Sequence, residues 1–149
     1  MHYIKKNRLV NAFKTVFYIT VLMSIVSCSK DNFEAKIPAY ITIDKFTVTS
    51  NYAIHGSSSS NITDVWVYIN DDLVGTYELP ARFPVLKEGT YNVKFYAGIK
   101  DNGVSGLRER YLFYTAHEEQ ITFEKGNEIK VEPQITYISS TQTAWLEDF

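Results

Sequence analysis

From residue 37 onward apolar and polar positions alternate with a period of two, and turn-forming residues interrupt the alternation about every eight to twelve positions. That pattern predicts strands. The expected strands cover residues 39–49, 64–69, 73–79, 90–99, 111–114, 120–123, 128–132 and 134–138, and no segment carries an amphipathic helical stripe of three turns. An all-β fold follows, and an antiparallel β-sandwich or barrel is the architecture that buries one face of so many short strands.

Two hairpins are legible. Asp64 to Ile69 and Leu73 to Tyr77 flank Asn70-Asp71-Asp72, residues that tolerate the left-handed backbone of a short turn. A three-residue loop would set Ile69 opposite Leu73, with Val65, Val67, Leu73 and Tyr77 on one side and Trp66, Tyr68, Val74 and Thr76 on the other. A two-residue loop at Asp71-Asp72 would change those partners. Lys87-Glu88-Gly89 leads into a further arm in which Tyr91, Val93, Phe95 and Ala97 alternate with Asn92, Lys94 and Tyr96, closed by Asp101-Asn102-Gly103. Ser57 to Asn61 reads as a loop.

The first residues follow a different pattern. A basic stretch, Met1 to Lys14, precedes an apolar run from Val16 to Val26 that falls short of the roughly 20 residues needed to cross a bilayer but suits a secretory signal. It ends in Ile25-Val26-Ser27-Cys28, which resembles the bacterial lipobox. The resemblance implies cleavage before Cys28 and acylation of that residue, an anchor in which each buried methylene contributes about 0.8 kcal/mol. The following Ser29-Lys30-Asp31-Asn32-Phe33-Glu34 is similar to the acidic tether of surface-exposed lipoproteins of the Bacteroidota. The expected organisation is a signal peptide over 1–27, a lipid-anchored tether over 28–36, a β-sandwich domain over 37–138 and a tail or the start of a further domain over 139–149. The implied location is the outer membrane, facing outward.

Charge changes the picture once this leader is set aside. Residues 1 to 27 hold four of the 15 Lys and Arg and no acid, so the remainder carries 11 bases against 17 acids, a net of −6. An acidic body without a basic, aromatic-interleaved patch speaks against nucleic acid. Cys28 is the chain's single cysteine, which excludes an intrachain disulfide.

The sequence offers little for catalysis. His2, His55 and His117 share no ligand spacing with one another or with Cys28, so no metal or other cofactor is expected. Asn70-Asp71-Asp72 lacks the ligand pattern of a calcium loop. Glu118 and Glu119 are adjacent in a strand and point to opposite faces, and Gly103-Val104-Ser105-Gly106 lacks the spacing of a nucleophile elbow. What remains is aromatic: Trp66, Tyr68 and Tyr96 alternate against aliphatic positions, and Arg108, Glu109 and Arg110, just before Tyr111, either rim the same surface or form a charged turn. Such rings serve protein partners and sugars, unless a second sheet covers them as core. The block from Val65 through Gly75, with Glu78-Leu79-Pro80, Phe83 to Leu86, Glu88-Gly89 and Ala97-Gly98-Ile99, is similar to PEGA-type small β-domains, and more closely to lipoproteins of the Bacteroidota that carry it behind a lipobox. The resemblance implies an Ig-like or PEGA-like fold and no particular activity. The expected function is a lipid-anchored, non-catalytic binding or scaffolding module with an outer-membrane protein partner, or else a carbohydrate-binding accessory domain.

Overall fold

The structure, a computed structural model, describes residues 14–19, 35–104 and 106–142. Two compact units are distinguished, Met1–Ala35 and Lys36–Phe149. In the first, residues 14–19 form a short helix, α1. No helix among the described residues is long and apolar enough to cross a membrane. Cys28 and the remainder of the expected signal and tether up to Glu34 lie outside the described residues.

The second unit is all-β. Its elements are β1 (Ala39–Ile43), β2 (Thr47–Thr49), helix α2 (Tyr52–His55), β3 (Asp64–Ile69), β4 (Asp72–Glu78), β5 (Ala81–Val85), β6 (Gly89–Lys100), a 3-10 turn (Asp101–Gly103), β7 (Arg108–Arg110), β8 (His117–Phe123), β9 (Glu128–Val131) and β10 (Gln134–Thr136). The largest sheet is antiparallel, in the order β4-β3-β6-β7, with β8 also pairing β6. Besides pairing β3, the long β6 serves two further neighbours, because Gly89 to Phe95 pair with β8 and Gly98 to Lys100 pair with β7.

The other pairings depart from a purely antiparallel expectation. β1 lies between antiparallel β5 and parallel β9, and β2 pairs in parallel with β10. The single strand expected over 39–49 is therefore two strands, broken at Asp44-Lys45-Phe46. Its partner breaks at the same level: Pro133 has no N–H to continue the ladder after β9, and its carbonyl instead accepts from Thr47 N at 2.9 Å.

The hairpin loop is also corrected. Asn70 and Asp71 take positive φ values of 50° and 68°, giving a two-residue turn that sets Ile69 opposite Asp72. A register shift between Val67 and Tyr68 then puts Leu73 opposite Tyr68, on the outer face, and leaves it exposed. Residues 111–114, expected as a strand, form a turn in which Tyr114 makes an isolated bridge to Tyr137.

One apolar cluster joins all the sheets. Val65, Val67, Ile69, Val93, Phe95, Ala97, Ile121 and Phe123 enter it from the large sheet, and Ala39, Ile41, Ile43, Phe83, Val85 and Val131 from the three-stranded one. Tyr77 of β4 stacks on Phe83 of β5 with centroids 4.0 Å apart. Because strand side chains alternate, burying the Val65-Val67-Ile69 side commits the side bearing Trp66 and Tyr68 to the outside.

Candidate functional site

The outward face of β3, β6 and β7 holds the aromatic and basic residues together. Register sets Trp66 directly opposite Tyr96, and Arg110 opposite Gly98, two residues further along β6. The rings are half-buried rather than covered by another sheet. Tyr68 meets Tyr96 edge to face at 5.4 Å and 77°, and the Arg110 guanidinium lies 4.4 Å from the centroid of the Tyr96 ring, a cation–π arrangement.

An open groove of about 360 Å³ runs along this face, lined by Trp66, Tyr68, Arg108, Glu109, Arg110 and Leu112. Four of the five residues singled out from sequence line it, and Tyr96 supports it from below Arg110. Its lining is apolar as well as basic, since Leu112 is 66% exposed. Leu112 had no signal in a strand pattern, because the turn at 111–114 sends Tyr111 and Tyr114 inward and the two residues between them out.

Asp64 was not singled out from sequence, where an acid at a strand start reads as a turn residue. It is 2% exposed. Both of its carboxylate oxygens accept from Arg108 Nη1, at 2.5 and 2.6 Å, and Thr63 Oγ1 donates to Oδ2 at 2.6 Å. Arg108 Nη2 reaches Glu78 at 3.2 Å, and Lys100 stands 3.8 Å from the same carboxylate. The hydrogen bond to Asp64 comes first among the causes that hold the Arg108 guanidinium above the ordinary arginine range.

Gly98 is the second residue that sequence reasoning passed over. A Cβ there would come within 2.9 Å of Asp64 Cβ and of Trp66 Cδ1 and Nε1, so the indole rests on bare backbone. Its Nε1–H is buried without a hydrogen-bond partner among the described residues. Shape, rather than polar contact, holds this ring.

Other sequence candidates are dispersed. Glu118 accepts from Asn92 across the β6–β8 pair, while Glu119 faces His117 at 3.9 Å. His55 stacks on Tyr137 at 4.5 Å. Asp71 is bound by Lys94 Nζ at 2.6 Å. Among the described residues no group of three or more His, Cys, Asp and Glu comes together as metal ligands.

Fold and groove together define a small all-β domain with a mixed aromatic and cationic cleft on one sheet face. In comparisons with known proteins, no family model, no curated protein and no solved structure matches the chain.

Proposed function

We propose that this chain is a non-catalytic binding module, held to the outer membrane by lipid on Cys28, that engages a protein partner through the groove on β3, β6 and β7. We read its curled sheets as a β-sandwich of Ig-like or PEGA-like kind, whose outer face is free to carry a contact surface. The carrying observation is the groove's composition: Trp66, Tyr68, Arg108, Arg110 and Leu112 line one cleft. Trp, Tyr and Arg are the residues most enriched among those that dominate protein–protein affinity, and they do so from well-packed pockets that the partner desolvates.

A glycan platform is less well supported. Stacking on a sugar favours rings that lie flat and open, whereas Tyr68 and Tyr96 meet at 77° and Arg110 occupies a face of Tyr96. The membrane part of the proposal rests on the lipobox-like Ile25-Val26-Ser27-Cys28 and the tether behind it. Outward display follows from the same tether.

The test is capture of the tagged full chain from native membranes, beside Trp66→Ala and Cys28→Ser. A stoichiometric protein partner should accompany the wild-type chain and be depleted with Trp66→Ala, and Cys28→Ser should leave the membrane fraction. Recovery of no partner, or glycan binding that depends on Trp66, would overturn the binding role. An unmodified Cys28 by mass spectrometry would overturn the anchor.

A further inference from the structure

The two arginines of the groove are not equivalent. Among the described residues, Arg108 is engaged by Asp64 and Glu78, and Lys100 shares Glu78, so two bases face two acids at this corner. Arg110, two residues along the same strand face, stacks on Tyr96 and makes no ion pair among the described residues. Glu109 between them also lines the groove, but it opposes Ile99, and alternation turns its side chain away from the strand face that carries the two arginines. One guanidinium on the groove wall therefore stands as a surplus positive charge beside Trp66, Tyr68 and Leu112.

Building on the protein-binding reading above, we propose that the groove recognises an acidic side chain next to an apolar one: the carboxylate of an Asp or Glu on Arg110, with its apolar neighbour against Trp66 and Leu112. A guanidinium matches a carboxylate through charge-assisted hydrogen bonds, and its planar fork stays available when one face is stacked on a ring. A single arginine with apolar walls suits a single negative charge. Phosphate sites gather several donors or a nest of backbone N–H groups, and a net of −6 outside residues 1 to 27 opposes polyanions.

The test uses the full chain in neutral detergent, labelled with ¹⁵N-tryptophan. The sequence has two Trp, so two indole signals are expected, and Trp66→Phe assigns one of them. The probes are the capped peptides Ac-Phe-Glu-Leu-NH₂ and Ac-Phe-Gln-Leu-NH₂, inorganic phosphate and maltose. The Glu peptide should move the Trp66 signal, with the Gln peptide roughly tenfold weaker, the scale of one charge-assisted hydrogen bond. Arg110→Gln should erase that preference, and Arg110→Lys should retain part of it. Equal affinity for the two peptides, or a preference that survives Arg110→Gln, overturns acidic recognition while leaving a protein-binding groove in place. Phosphate competing as well as the Glu peptide also overturns it. A Trp66 signal moved by maltose and by neither peptide overturns the reading underneath, and silence towards every probe overturns the acidic-peptide inference, with the membrane capture still deciding the broader one.

Discussion

Arg108 binds both carboxylate oxygens of Asp64 from a single nitrogen, at 2.5 and 2.6 Å, and so ties the short strand β7 to the start of β3 across β6. Asp64 is buried, so its charge is tolerated only while these donors face it. Asp64→Ala should lower unfolding free energy by about 1.5–3 kcal/mol, the range for hydrogen bonds to a charged group. Urea titration checks it, with Glu128→Gln as the comparison: the Arg82–Glu128 pair is solvent-exposed, and its loss should barely move the midpoint.

Gly98 gives a sharper steric test. Adding one methyl, Gly98→Ala, forces a clash at 2.9 Å with the Trp66 ring and Asp64. Overpacking of this kind costs about 1–3 kcal/mol. The expected signature is a displaced Trp66 indole resonance together with the lower urea midpoint.

Phe95 lies fully buried in the middle of β6. Phe95→Ala removes a ring from the apolar cluster that joins the sheets, and should cost about 3–5 kcal/mol. Thermal unfolding monitored by far-ultraviolet circular dichroism measures it.

The β3–β4 turn can be tuned. Asp71 sits at φ 68°, a conformation costing a side-chain-bearing residue about 1–2 kcal/mol. Asp71→Gly should raise stability by up to about 1 kcal/mol, reduced by loss of the exposed pair with Lys94, whereas Asp71→Val should lower it. Denaturant midpoints of the two variants should fall on opposite sides of the wild type.

Alkaline pH should unfold the domain. Burial raises the Tyr77, Tyr111 and Tyr114 phenols above their ordinary value of 10.0, and Tyr114 gains further from the Tyr137 hydroxyl. Above that value the unfolded chain releases protons that the folded chain keeps, so the unfolded state binds fewer protons and stability falls as pH rises. Stability should be level below about pH 9 and decline from about pH 10 upward. Tyr114→Phe should weaken that decline in urea titrations repeated across the range.

The β3–β4 hairpin and the strand β6 were readable because their signals are local: period-two alternation with Asn, Asp or Gly where the backbone turns. The hairpin expected at Lys87-Glu88-Gly89 does not form, because β5 pairs with β1 while β6 pairs with β3, β7 and β8. β5 was not readable, since Pro80 and Pro84 punctuate it. Proline is tolerated there because β5 is an edge strand opposite β1 alone. The parallel pairing was hidden for a different reason. Thr42 and Glu128, hydrogen-bonded at 2.9 Å, are 86 residues apart, and nothing in either segment names the other. In the groove, alternation disclosed Trp66, Tyr68 and Tyr96, but the division of labour between the arginines depends on Asp64, which only the folded sheet brings to Arg108.

The parallel alignment of β1-β2 with β9-β10 has a mechanical consequence. The chain enters at the lower end of this seam, at Ala39, and leaves it at the upper end, at Thr136. Tension applied between a tether before Ala39 and a load after Thr136 pulls the neighbouring strands along their lengths in opposite directions. All the cross-links of the seam then share the force together instead of opening one after another, so the domain is built to resist being pulled apart by its two ends.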